Sequence, residues 1–338
     1  MLIKAINWTI KVIKVFLINF LLLYLFLFLI ELVFQFKNGT LFLESKYIHR
    51  DRLENKLDQE VHLSYAPYKM LQTNESIFPL SGISNVKTIF CREGKEHYTY
   101  FSVKYGFNNQ GDLEIKNILL IGDSYVQGLC VEPKFSLANN LNAINFGFFA
   151  NGPLIEYATF REYQHKYDFE KVVWLFTIDN DFYDFSKEIQ DQTLNSYIKD
   201  KNYTQNLVDR DDDKNNLIKN VYFDYESRNI KEKLKHYHFD IKHIRQSISK
   251  FIDSFEYENN QNIFRTNEIN YYEDYVSEIG SILIDLNNQL KNDEKSFLVV
   301  FNAIHPTYKY HNNKISKNHY DKMNIGVNKL IEVLELNN

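Results

Sequence analysis

Short apolar runs alternate with amphipathic stretches between residues 117 and 304, and this alternation predicts the architecture. The apolar runs are NILLI, AINFGF, KVVWLFTI and SFLVVFNAI, and runs of this length are typical of strands buried on both faces. LIEYATFREYQHKY resembles a helix, and apolar residues recur at spacings of three and four from Val276 to Leu290. The pattern predicts an α/β domain in which a parallel sheet lies between two layers of helices, a three-layer sandwich.

The N-terminal region contains one long apolar segment, from Val15 to Phe34. It has the length of one bilayer crossing and lacks the polar stripe of a soluble helix. No small-residue cleavage pattern follows it, so we expect a membrane anchor at residues 1–37 rather than a cleaved signal peptide. Lysines at positions 4, 11 and 14 favour a cytoplasmic N-terminus and an extracytoplasmic remainder, although basic residues at 37, 46, 50 and 52 weaken that orientation.

Three further regions follow the predicted anchor. Residues 38–115 are mixed and polar and suggest a stem or an addition to a sheet edge, and residues 116–338 form the main domain. A polar insertion covers about 186–265, and its DRDDDKNN run from Asp209 lacks the glycine and distal glutamate of an EF-hand loop. We therefore expect a solvated, mobile segment there and no metal site.

Charge and cysteine content narrow the function classes. The chain has 39 basic and 44 acidic residues, a net charge of -5, and no concentrated basic face, so nucleic acid is not an expected partner. Cys91 and Cys130 are the two cysteines. Their spacing matches no metal motif, and they leave both a disulfide and two free thiols open.

Polar clusters follow three of the predicted strands, where ligands bind in parallel α/β sheets. They are Gly122-Asp123-Ser124, the segment from Asn145 to Gly152, and Asn180-Asp181. A serine there can act as a nucleophile, and nearby backbone amides with an asparagine side chain can stabilise the oxyanion that its attack creates. Taken singly, each cluster is more often an ordinary turn or helix cap than a catalytic site.

Together these blocks resemble the SGNH/GDSL hydrolase superfamily over about residues 116–184, and VKYGFNNQ resembles the lead-in of its membrane-anchored bacterial members. The resemblance implies an SGNH or flavodoxin-like sheet and a Ser124 nucleophile in IGDSYVQG. It also implies an oxyanion hole formed by the amides of Ser124 and Ala150 with the Asn180 side chain. Two positions depart from the family pattern: Ala150 stands at the oxyanion glycine, and Ile178 replaces the glycine of the third block.

The general base is the least defined part of the resemblance. The family places it in a D-x-x-H motif after the last strand, and none follows SFLVVFNAI. His319 precedes an apolar-periodic terminal helix like the one that follows the family's base, so it is the residue we assign. His305, His243 in the earlier DIKH, a degenerate site, and a base missing because the chain stops before the last block remain alternatives.

The sequence thus predicts a serine esterase or acyltransferase anchored in the bacterial inner membrane by a single helix, with its catalytic domain in the periplasm. Its substrates would be O-acyl esters, with envelope glycans as the class that location and family habit suggest. The chemistry requires no metal or organic cofactor. The alternative is an inactive module of the same fold that binds glycans or joins a membrane complex without a general base. The oligomeric state is left open.

Overall fold

The computed structural model describes residues 14–30, 62–64, 67, 76–93, 96–178, 180–227, 271–302 and 317–336. The chain divides into two compact units, and the described part of the first is mainly helix α1, residues 14–30. Most apolar side chains of α1 are exposed, with Phe16 at 70% and Leu21 at 67%. Within the described ranges, no helix is both long and apolar enough to cross a bilayer. Residues 1–13 and 31–37 of the predicted anchor lie outside those ranges.

The second unit begins with a small three-stranded sheet. Strand β1, His62–Leu63, pairs in parallel with β2, Lys87–Glu93, and β2 pairs antiparallel with β3, Glu96–Phe101. A disulfide joins Cys91 of β2 to Cys130, which follows the turn that carries Ser124. The structure therefore decides in favour of the disulfide, and it ties the small sheet to the main domain.

Four parallel strands form the main sheet, as the apolar runs predict. They are β4, Ile118–Gly122; β5, Ala143–Asn145; β6, Lys171–Thr177; and β7, Ser296–Asn302. Their order is β5-β4-β6-β7, and every pairing is parallel. The chain leaves β4 toward β5 and then crosses back to β6 on the other side. This reversal is a topological switch point, where open α/β sheets bind ligands.

Helices connect and cover these strands. In chain order they are α2, Ser124–Gln127; α3, Leu137–Asn140; α4, Pro153–Tyr163; α5, Asp181–Glu188; α6, Gln192–Lys199; α7, Asp211–Ser227; α8, Tyr271–Asp274; α9, Val276–Asn292; and α10, Lys317–Glu335. α4 and α9 correspond to the two helices that periodicity predicts. α10 packs on α8 and α9, where Gly280 and Gly326 allow close approach.

Side chains of β4 alternate between the two faces of the sheet, so each face has its own core. Leu119 and Ile121 belong to the larger cluster, which includes apolar residues of α4, α5 and α9. Leu120 belongs to a smaller cluster with Val126 of α2 and Ala138 of α3. Helices thus cover β4 from both sides, and its uninterrupted apolar sequence follows from this double burial.

Two regions that read as peripheral in the sequence contribute to the interior. Phe78 and Phe107, from the segment predicted as a stem or sheet edge, are buried in the larger core cluster. The acidic run that we expected to be solvated and mobile instead opens α7. Lys214 in that run is fully buried, and its ammonium donates to Asp211 and to the Tyr105 carbonyl. The remainder of the insertion, residues 228–265, lies outside the described residues.

Candidate functional site

Ser124, Ala150 and Asn180 all lie beyond the carboxyl ends of neighbouring strands. Ser124 follows β4, the loop containing Ala150 follows β5, and Asn180 follows β6. Because β4 pairs with both β5 and β6, the three connections leave the same edge of the sheet. Ser124 and Asn180 flank the switch point between β4 and β6.

Ser124 is the first residue of a short helix that starts directly at the end of β4. Asp123 caps this helix, because its carboxylate accepts the Tyr125 N–H at 3.0 Å. Gly128 ends the helix in the left-handed conformation, with φ 79°. At Gly122 a Cβ would lie 2.5 Å from Val126, so this position requires glycine. The close packing fixes a half-buried serine at the strand end, and no described residue takes its hydroxyl hydrogen.

The Asn180 side chain reaches across to the serine turn. Its Nδ2 lies 3.3 Å from Asp123 Oδ2 and 3.2 Å from Asp184 Oδ2, so its two hydrogens point toward two carboxylates. Asn180 also forms the N-cap of α5, although its side chain makes no capping bond. The residue before Ser124 and the asparagine of the third block are therefore in direct contact.

The loop from Gly147 to Gly152 brings a backbone donor to the same edge. Ala150 has φ 58°, a left-handed conformation that glycine adopts at the least cost. The N–H groups of Gly147, Phe148, Phe149, Asn151 and Gly152 all have internal acceptors. In contrast, no acceptor among the described residues takes the N–H of Ala150, and the same holds for the N–H of Ser124.

Three buried carboxyl groups, of α4 and α5, lie near this edge of the sheet. Burial raises the pKa of Glu188 to about 8, repulsion from Asp184 adds to the rise, and three backbone N–H donors oppose it. Burial, with repulsion from Asp123, raises the pKa of Glu156 well above its usual value, against a hydrogen bond from Trp174. Burial, with repulsion from Glu156, likewise raises the pKa of Asp181 well above its usual value. Burial is thus the first cause of a raised pKa in all three carboxyl groups.

The candidate bases are largely beyond what the structure describes. His319 lies in the first turn of α10, but its side chain is outside the described part. His305 and His243 lie outside the described residues altogether. The geometry therefore brings together Ser124, Ala150 and Asn180 and leaves the assignment of His319 as a prediction.

Several polar residues of the site escaped the sequence analysis. Asp184 and Glu188 lie on α5, where a polar residue reads as solvent-facing, yet Glu188 is buried. One signal was available: α4 begins at Gly152-Pro153 without a capping side chain, so its amides must find an acceptor elsewhere. Across the described ranges, no group of histidine, cysteine and acidic side chains is arranged to hold a metal ion.

Comparison of the chain with protein-family models, with curated proteins and with solved structures finds no match.

Proposed function

We propose that the chain is a serine esterase or acyltransferase of the SGNH type that acts on O-acyl esters. The observation that carries this proposal is the pair of backbone N–H groups, of Ser124 and Ala150, that have no acceptor among the described residues and lie at neighbouring strand ends. The half-buried Ser124 hydroxyl stands beside them, at the first residue of the helix that follows β4. An acyl-transfer site needs both, because attack on the ester converts its carbonyl oxygen into an oxyanion.

The proposed reaction has two steps. The Ser124 hydroxyl attacks the acyl carbon while a histidine takes its proton, and the oxyanion accepts hydrogen bonds from the Ser124 and Ala150 amides and from Asn180. The histidine then returns the proton to the departing alcohol, leaving an acyl-serine. Water or an acceptor hydroxyl releases the acyl group by the reverse sequence. The chemistry uses no metal and no organic cofactor.

The strand order supports the three-layer SGNH-like fold that goes with this reaction. The order β5-β4-β6-β7 places the nucleophile after the strand at which the connections reverse direction. The core clusters on the two faces of β4 include residues of the covering helices, and these helices form the two outer layers. The likeness rests on block order, strand order and site geometry together.

His319 is the base in this proposal. Substituting it with alanine is expected to lower the rate of ester hydrolysis by about 10³ or more, because serine attack loses its proton acceptor. Parallel His305→Ala and His243→Ala variants serve as comparisons. A hydrolysis rate that survives His319→Ala and collapses in one of the other variants transfers the role to that residue.

The cellular location is part of the proposal. The apolar segment beginning at Val15 and the lysines before it support a single-pass anchor with a periplasmic domain. The Cys91–Cys130 disulfide supports the same placement, since disulfides persist in oxidising compartments. Envelope glycans that carry O-acyl groups are the substrates this location offers. Alkaline phosphatase fused near residue 60 should be active and green fluorescent protein dark, and the opposite pattern would overturn this topology.

A fluorophosphonate probe tests the reaction class directly. The probe is expected to label the wild-type chain covalently and to leave the Ser124→Ala variant unlabelled. Ser281→Ala is the matched control, because Ser281 is exposed on α9 and bonds only to the Glu278 carbonyl in the same helix. Labelling that persists in Ser124→Ala would rule out this serine as the nucleophile.

One observation favours a second candidate, an inactive glycan-binding or membrane-complex module of the same fold. The amide hydrogens of Asn180 are taken by Asp123 and Asp184, and an active oxyanion hole would need at least one of them. A folded wild-type chain that resists the probe but binds acylated glycans would support this candidate.

A further inference from the structure

The loop that carries the Ala150 amide is held from one side by a single buried carboxylate. Glu188 Oε1 accepts the Gly152 N–H at 2.6 Å, and Oε2 accepts the N–H groups of Leu154 at 2.9 Å and Ile155 at 3.3 Å. Glu188 is 1% exposed, so these bonds form away from water. Buried amides left without an acceptor are costly, so these three hydrogen bonds to Glu188 stabilise this part of the loop.

The local sequence explains why these amides bond to Glu188 of α5 and not to a capping side chain at the start of α4. Gly152 is the N-cap of α4 and has no side chain to satisfy the first amides of the helix. A Cβ at Gly152 would lie 2.7 Å from Asp184 Cβ and 2.9 Å from Glu188 Oε1. The missing side chain therefore lets α5 approach closely enough for Glu188 to act as the cap.

The anchors before Ala150 are of a different kind. Gly147 donates to the Asn145 side chain, Phe148 to the Gly122 carbonyl, and Phe149 to the Gln127 side chain. These bonds fasten the first half of the loop to β4, β5 and α2. Within the described residues, Glu188 is the side chain that fastens the loop after Ala150, two positions beyond the donor.

One short helix links this anchor to the other oxyanion donor. α5 begins directly after Asn180 and ends at Glu188, and at 1.5 Å per residue its eight residues span about 12 Å. The positions of the Asn180 side chain and of the Ala150 amide thus both depend on α5. We propose that Glu188 is a positioning residue that fixes the Ala150 amide relative to Asn180 and so sets the geometry of the oxyanion hole. This inference rests on the proposed esterase function.

The test compares steady-state hydrolysis of p-nitrophenyl acetate by the full-length wild type and by Glu188→Gln, purified in detergent. Glutamine keeps the shape but replaces one acceptor oxygen with an amide nitrogen that faces backbone N–H groups. We expect kcat to fall by about tenfold to a hundredfold with KM nearly unchanged, because a misplaced donor weakens transition-state stabilisation more than substrate binding. Glu188→Asp, which keeps the carboxyl group but shortens the reach, should show a smaller loss in the same direction.

Glu162→Gln is the matched control. Glu162 is also a buried carboxylate, and it accepts backbone N–H groups from Gln205 at 2.6 Å and Leu207 at 2.9 Å, but at the far end of α4. Glu162→Gln should destabilise the fold by about as much as Glu188→Gln does, and it should leave kcat per folded molecule unchanged. Unchanged kcat in both Glu188 variants, or an equal loss in Glu162→Gln, would overturn the positioning role alone. A folded wild type with no Ser124-dependent turnover would overturn the proposed function and this inference with it.

Discussion

Asn180 is the residue at which the third sequence block meets the first. Its Nδ2 lies within hydrogen-bonding distance of both Asp123 and Asp184, so Asn180 can act as an oxyanion donor only when one of these two hydrogens turns to the ligand. Asn180→Ala removes that donor, and we expect the rate of fluorophosphonate labelling at Ser124 to fall by about 10² to 10³, the usual effect of deleting one oxyanion donor. Quenching the labelling reaction at successive times and measuring the gel fluorescence of each sample gives this rate.

Asn195→Ala provides the comparison for Asn180→Ala. The Asn195 side chain is also an amide donor, and it bonds to the Ile189 carbonyl at 3.0 Å. It lies on α6 and not at any of the three strand ends. Its loss should affect stability modestly and leave the labelling rate unchanged. A labelling rate that is equally insensitive to Asn180→Ala would exclude Asn180 from the oxyanion site.

Gly147 shows how little space separates the loop after β5 from the serine turn. A Cβ at this position would lie 2.5 Å from both the Gln127 nitrogen and Val126 Cβ in α2. Gly147→Ala must therefore displace α2, and we expect it to lower the free energy of unfolding by about 2 kcal/mol or more. Gly111→Ala is the control: nothing lies within 4 Å there, and only its φ of 71° opposes a side chain, at about 1 kcal/mol. Urea unfolding should rank the two variants in that order.

At the scale of elements, the disulfide connects β2 to the segment that follows α2. It closes a separation of 39 residues, for which chain entropy in the unfolded state gives a stabilisation of about 4 kcal/mol. The double variant Cys91→Ser, Cys130→Ser should therefore melt at a lower temperature than the wild type. Because Cys130 lies two residues beyond the end cap of α2, labelling of Ser124 should slow as well.

Differential scanning calorimetry with and without reductant measures the disulfide's contribution. Reductant should lower the melting temperature of the wild type to that of the double variant and leave the double variant unchanged. A wild type that is insensitive to reductant under unfolding conditions would contradict the pairing.

The sequence predicts those elements whose environment imposes a simple pattern. β4 is covered on both faces and reads as an unbroken apolar run, and α9 buries one face and reads as a spacing of three and four. Turns at strand ends carry recognisable residues, which is why the sequence predicts Ser124 and Asn180 there, and the structure has both at strand ends. Each of these signals is local, so a single sequence is sufficient to reveal it.

Other features depend on partners far away along the chain. Glu188 accepts amides from residues 33 to 36 positions earlier, and Lys214 donates to a carbonyl 109 positions earlier. Both are charged residues in polar helices, where the expected environment is solvent. Only the fold supplies the amides and carbonyl that compensate their burial, so composition alone places them on the surface.

At the scale of the whole molecule, the buried carboxyl groups make stability depend on pH. The pKa of Glu188 is raised to about 8 by burial, and the pKa values of Glu156 and Asp181 are raised well above their usual range by burial and by repulsion from neighbouring carboxyl groups. Between about pH 4.5 and 8 the folded chain therefore holds protons that the unfolded chain has lost, and stability falls as pH rises. Lys214 acts elsewhere: burial lowers its pKa to about 8, so its contribution to stability rises with pH only above that value.

We therefore expect the free energy of unfolding to decrease from about pH 5.5 to about pH 7.5, since each retained proton contributes up to about 1.4 kcal/mol per pH unit. Urea unfolding at the two pH values measures this difference. Glu156→Gln should reduce it, because glutamine can still accept the Trp174 Nε1–H bond but has no proton to lose. A wild type whose stability is flat or rises over this interval would show that the buried acids are ionised in the folded chain, with their charge compensated by the backbone amides around them.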